Sequence, residues 1–164
     1  GINYVNEEID FYFSRETETQ MIDKYDLKNR KYIVLAPGAS KVTKEWIYYE
    51  ELANKITAET DYDVVVIGGK EDYLKVKEIQ RIQNLAGKLN FKESGVILKY
   101  AKFAVTNDSG PFHIARAMKT KTIVIFGPTD PKMFTYNEKT YLLTSRQDCS
   151  PCSLHGGKKC PKGH

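Results

Sequence analysis

The sequence predicts an α/β domain with a parallel, Rossmann-like sheet flanked by helices, and three observations predict it. Short runs such as Tyr32-Ile33-Val34-Leu35-Ala36 and Val64-Val65-Val66-Ile67 are apolar throughout, not alternating, as strands buried on both faces are. Between them lie segments with apolar residues at helical spacing. Glycine or proline closes each run, at Pro37-Gly38, Gly68-Gly69 and Gly127-Pro128.

The elements follow in order. Residues 1–30 hold one helix, about Thr17 to Tyr25 with Met21 and Ile22 as anchors, and no strand. They read as an interdomain linker or crossing segment, and the domain itself as 31–164. After the Tyr32 strand, Trp46, Tyr49, Leu52, Ala53 and Ile56 predict a helix. A polar helix carrying Val76, Ile79 and Ile82 is expected after the Val64 strand. Val96-Ile97-Leu98 with Ala101 predict another helix, and Phe103-Ala104-Val105-Thr106 a further strand. Pro111 to Met118 reads as a compact helix, Thr122 to Phe126 as a strand, and Tyr141 to Thr144 as one more. No repeat or low-complexity tract interrupts the pattern.

Bulk properties exclude some functions. The formal charge is +4, with positive residues dispersed among acids, so charge does not imply nucleic acid. No apolar stretch approaches the roughly 18–20 residues that span a bilayer, and Gly1-Ile2-Asn3-Tyr4 lacks a signal-peptide layout. A cytoplasmic location is the expectation. Lys158, Lys159 and Lys162 form a solvated tail or touch an anionic membrane surface.

In such a sheet, ligands bind beyond the carboxyl ends of the strands. Three loops qualify. In residues 37–44, Gly38 permits close backbone approach, Ser40 supplies a hydroxyl, and Lys44 stands where it can reach a phosphate. This loop is neither a Walker motif nor G-x-G-x-x-G, which argues against a dinucleotide-dependent dehydrogenase. A plain turn with an exposed lysine is the alternative. In residues 106–113, Pro111 suits a first helical position and Asp108 or Ser109 can cap it. The helix N-terminus after Ser109 and Gly110 then faces the crevice, where a diphosphate binds well. Asp108 repels phosphate and is expected to cap the helix or accept from sugar hydroxyls, while His113 can donate to a phosphate. In the third loop Glu71 is a candidate for ribose hydroxyls, or a helix-terminal charge.

The three cysteines, Cys149, Cys152 and Cys160, crowd the last sixteen residues, against a disulfide-stapled fold. A zinc ion would use these with His164; reduced thiols are the favoured reading, with no metal.

Together the motifs resemble the C-terminal domain of the ADP-heptose:lipopolysaccharide heptosyltransferases, glycosyltransferase family 9, which are inverting enzymes of the GT-B fold. The matching pieces are Pro-Gly-Ala-Ser at 37–40 with Lys44 and Trp46, Gly-Gly at 68–69 and Leu-Ala-Gly at 85–87. Asn-Asp-Ser-Gly-Pro at 107–111 with His113, and Phe-Gly-Pro-Thr-Asp-Pro at 126–131, continue them. The cysteine-bearing end is similar to the second-heptose branch. The resemblance implies that Ser40, Lys44, Asp108, Ser109, Gly110 and His113 hold the donor diphosphate and sugar. Glu71 would hold the ribose, and backbone near Lys88 and Leu89 would lie against adenine. It implies ADP-heptose as substrate, no cofactor, and a lipopolysaccharide-core acceptor at the cytoplasmic face of the inner membrane. The acceptor site and carboxylate base belong to an N-terminal domain without counterpart here, so the chain alone is expected to be inactive. A sister enzyme using another nucleotide sugar and a non-catalytic nucleotide-binding module are the alternatives.

Overall fold

The computed structural model describes residues 9–133, 138–144 and 147–163. Six parallel strands form one sheet in the order β3-β2-β1-β4-β5-β6, with β1 at Tyr32–Ala36, β2 at Asp63–Val66 and β3 at Ile82–Asn84. β4 spans Phe103–Asn107, β5 Thr122–Phe126 and β6 Thr140–Thr144. The order has a functional consequence. The chain runs outward from β1 through β2 to β3, then crosses back to lay β4 on the other side of β1. The loops after β1 and β4 therefore lie on the two sides of the topological switch point at the carboxyl edge, where sheets of this kind bind ligands.

Helices cover the two faces unequally. Helix α2, Tyr49–Glu59, buries Tyr49, Ala53 and Ile56, one stripe at helical spacing, against Ile33, Leu35, Val64, Val66 and Val105. On the other face α3, Phe91–Tyr100, packs Val96 to Leu98 over Val34, Ala36 and Val65. Its start is a reciprocal capping box between Asn90 and Glu93. Helix α4, Gly110–Ala117, lies beside it and buries Phe112, Ile114 and Ala115.

The segment expected as a linker or crossing segment carries α1, Arg15–Tyr25, capped by the Ser14 hydroxyl and closed by Asp26 in the left-handed conformation. Met21 and Leu27 are buried in the α3-side core, with Phe11 and Phe13 packed against it. Adding a Cβ at Gly95 of α3 would bring it 2.6 Å from the Phe11 ring, so that close approach depends on glycine.

Two expectations are corrected. No α-helix carries Val76, Ile79 and Ile82. A short 3-10 segment occupies Lys70–Lys75, and Ile82 begins β3, paired with Val64. The three residues at helical spacing do not share a face: Val76 and Ile82 are buried while Ile79 is 52% exposed. Asn84 decides the local path instead. Its Nδ2 donates to the Tyr73 and Val76 carbonyls and its Oδ1 accepts from the Ala86 N–H. Trp46 likewise precedes α2, because its backbone N–H donates to the Asn107 side chain and so is tied to β4.

Candidate functional site

The site grows from three loops at the switch point. After β1, the chain passes Pro37 to Lys41 into a single 3-10 turn, Val42–Lys44. After β4, Asp108 leads into α4. After β5, Gly127, Pro128 and Thr129 pass close to both.

Lys44 reaches across the crevice to Asp108, with Nζ 2.6 Å from the carboxylate. Only 12% of the Lys44 side chain and 5% of that of Asp108 remain exposed, so the pair is largely withdrawn from water. The Thr129 hydroxyl donates to the same Asp108 oxygen at 2.8 Å. Asp108 thus serves as an anchor for Lys44 and Thr129. The negative charge that would repel a phosphate is neutralised by the lysine that would attract one.

Ser109, one of the two residues expected to cap α4, occupies the N-cap position but makes no side-chain capping bond. Its hydroxyl points back to the Asn107 carbonyl at 3.3 Å. The short β4-to-α4 connection turns that hydroxyl away from the helix. The first turn of α4 carries Pro111, which has no N–H to satisfy, and the Phe112 N–H donates to the Ser109 carbonyl at 3.1 Å.

His113 lies in that first turn, half-buried, its ring 5.1 Å from that of Phe112. Burial, followed by the Arg116 charge, pushes its imidazole below the usual histidine value; Asp108 opposes this and Lys44 adds to it. At neutral pH the ring is uncharged and offers a hydrogen bond rather than a formal charge.

Asn107 and Asp72 hold the loops in shape. Asn107 Nδ2 donates to the Pro37 carbonyl at 2.8 Å, and its Oδ1 accepts from the Trp46 N–H and the Tyr49 hydroxyl. Asp72 is 4% exposed, accepts from the Gly69 N–H at 2.8 Å, and lies 2.8 Å from Lys75. Lys75 also bridges to Glu45 at 2.6 Å, tying the β2 and β1 loops together. A Cβ on Gly38 would fall 2.1 Å from the Asp72 carboxylate, which is why glycine stands there.

The structure brings together Lys44, Asp108, Ser109, Gly110 and His113, at or beside the crevice. Ser40 lies exposed on the β1 loop. Glu71 is exposed on the 3-10 segment after β2, next to the buried Asp72. Lys88 and Leu89 follow β3: the Lys88 ammonium donates to the Asn84 carbonyl at 2.7 Å, and Leu89 packs against the α3-side core. These three belong to the same carboxyl edge but to its outer half. Sequence reading missed the anchoring roles of Asn107, Thr129 and Asp72. Asn107 and Thr129 stood in quoted motifs, but their partners are distant in the chain.

The cysteine-bearing tail crosses above the β5 loop. Cys149 and Cys160 are half-buried, Cys152 is exposed, and no disulfide joins them. Among the described residues no group of three His, Cys, Asp or Glu is placed to hold a metal ion; His164 lies outside those residues. Beside the tail an apolar cavity of about 830 Å³ opens over Val105, Ile123 and Ile125, on the face where α2 ends.

The glycosyltransferase family 9 (heptosyltransferase) model matches residues 2–161. The chain belongs to that family. A lipooligosaccharide heptosyltransferase 2 of Campylobacter jejuni is 33% identical over 156 residues, covering 84% of this chain and 46% of that protein. The solved Escherichia coli ADP-heptose lps heptosyltransferase II superposes with a TM-score of 0.69 at 26% identity, over 82% of this chain and 44% of that one. A family 9 glycosyl transferase from Veillonella parvula shares the fold with a TM-score of 0.76 at 17% identity, over 91% and 46% of the two chains. The chain spans about half the length of the curated relatives it matches. Among the described residues no helix is long and apolar enough to cross a membrane.

Proposed function

We propose that this chain is the donor-binding half of an inverting heptosyltransferase, holding ADP-heptose in the crevice between the β1 and β4 loops. The single observation that carries the reading is the Lys44–Asp108 ion pair at the switch point, immediately before the start of α4. A diphosphate entering there meets a lysine ammonium, helix N–H groups and a neutral imidazole donor within one cleft. Family membership supports a nucleotide-sugar ligand, and the relatives' names support heptose and lipopolysaccharide.

In this reading a hydroxyl of the lipopolysaccharide core attacks the anomeric carbon, and the bond to the ADP oxygen breaks with inversion. The developing charge on ADP is stabilised by Lys44 and by the α4 N-terminus. Ser109, Gly110 and His113 border the diphosphate and sugar, with Ser40 at the rim. Glu71 serves the ribose, and backbone near Lys88 and Leu89 the adenine. The acceptor pocket and the base that deprotonates the hydroxyl lie on a second domain, with residues 1–30 leading from it, so this chain alone transfers no sugar. Work on that acceptor places the enzyme at the cytoplasmic face of the inner membrane.

Titration calorimetry with ADP and UDP tests the reading. ADP is expected to bind and to bind more tightly than UDP. Tighter UDP binding would mean a different sugar donor, and binding of neither would remove the donor-site assignment.

A further inference from the structure

We infer that the cysteine-bearing tail is a positioning element of the crevice, acting through Thr43. This rests on the donor-site reading above but goes beyond it, because no residue of the tail touches the crevice in that reading.

Thr43 and Gly157 tie the tail to the Lys44 loop. Thr43 donates its hydroxyl to the Gly157 carbonyl at 3.1 Å and accepts from the Gly157 N–H at 2.7 Å. The Thr43 backbone N–H donates to the same carbonyl at 3.2 Å. One residue on each side therefore makes three hydrogen bonds, across 114 positions of sequence. Gly156 lets the strands of this contact come close. It holds φ at +76°, and a Cβ there would lie 2.8 Å from Lys44 Cγ and 3.1 Å from Lys41 Cβ. The tail backbone thus presses directly on the aliphatic stem of Lys44.

The other end of the tail is anchored to the β5 loop. Ser150 Oγ donates to the Gly127 carbonyl at 2.7 Å, and the Cys152 and Ser153 N–H groups both donate to the Pro128 carbonyl. Thr129 then bonds to Asp108, and Asp108 pairs with Lys44, the neighbour of Thr43. The contacts form a closed ring: β1 loop, tail, β5 loop, Asp108 and back to Lys44. The 3-10 turn that carries Lys44 buries no residue of its own, so its position is set by these contacts more than by the core. Thr43 is a positioning residue, acting on the ligand through Lys44.

The test uses the full chain, with ADP as probe and lysine side chains labelled with ¹⁵N, the Lys44 ammonium being assigned from its loss in Lys44→Ala. Thr43→Val keeps shape and removes the hydroxyl. It is expected to weaken ADP binding about tenfold and to shift or broaden the Lys44 signal, since a displacement near 1 Å in a charged contact has an effect of this order or larger. Thr43→Ser should restore both. Equal ADP binding and an unchanged Lys44 signal in Thr43→Val, with only a lower melting temperature, would overturn the inference. Gly156→Ala supplies the same readout should Thr43→Val not fold: displacement of the Lys44 signal supports the clamp, and its invariance rejects it. If the unmodified chain binds no ADP, the donor-site reading fails, while the ammonium signal still decides whether the tail holds Lys44.

Discussion

Lys44 and Asp108 form a 2.6 Å ion pair between the β1 and β4 loops, with 12% and 5% of the two side chains exposed. Such a pair is asymmetric in its energetics. Making it gains little over an apolar pair of equal volume, because both charges lose water. Removing one member leaves the other buried and uncompensated. On the donor-site reading the same lysine has two roles that mutation can separate: it neutralises Asp108, and it presents positive charge to a bound diphosphate.

Lys44→Ala should lower stability by about 3 kcal/mol, at the lower end of the cost of orphaning a buried charge. The double change Lys44→Met with Asp108→Leu should recover most of that loss, while ADP binding stays weak in both variants. Urea midpoints and calorimetry on the same preparations check this. Full recovery of ADP affinity in the double variant would show that the pair is structural only.

His113 makes stability depend on pH. Its imidazole titrates below the ordinary 6.5, chiefly from burial and then from Arg116, with Asp108 opposing and Lys44 reinforcing. The unfolded chain thus binds a proton at higher pH than the folded one does. The stabilising effect of the neutral ring is complete above about pH 6.5 and is lost as pH falls from there through the lowered folded value. Urea midpoints measured between pH 5 and 8 should fall on the acid side, and His113→Gln should flatten that limb. An ADP diphosphate beside the ring favours its protonated form, so ADP affinity should rise over the same acid range.

Asn107 joins the Pro37 carbonyl to the Trp46 N–H and the Tyr49 hydroxyl through one side chain. Asn107→Ala should cost about 2–4 kcal/mol, because it strips partners from the Pro37 carbonyl, the Trp46 N–H and the Tyr49 hydroxyl together. Tyr49→Phe removes one of these bonds and should cost about 1 kcal/mol. Burial keeps the Tyr49 hydroxyl protonated well beyond the ordinary tyrosine range, so it remains a donor throughout. Equal losses in the two variants would refute the division of labour.

Much of the fold was legible because its signals are local. Runs such as Ile33-Val34-Leu35 and Ile123-Val124-Ile125 lie where period and composition agree, and Pro37-Gly38 and Gly127-Pro128 mark their turns. The polar helix failed where that reasoning is weakest. Val76, Ile79 and Ile82 match a helical period by spacing alone, and the Asn84 side chain, bonded to two backbone carbonyls, outweighs three isolated apolar residues. In the site, Lys44 and Asp108 were legible as a cation and an anion near strand ends. Their pairing was not, since 64 positions separate them and only the crossover after β3 brings β4 beside β1.

By itself the sequence determined the alternation of buried strands and helices, the glycine-rich turns at their carboxyl ends, and the motifs that mark the family. These depend on neighbours within a few residues, where hydrophobic period and backbone preference act directly. Tertiary structure alone decided which charges meet and which loops hold them. It neutralised Asp108 with Lys44, turned Ser109 away from α4, and laid Gly157 against Thr43. The reason is physical: hydrogen bonds and ion pairs act over about 3 Å in space, whatever their distance along the chain. The partners of a side chain are therefore set by strand order.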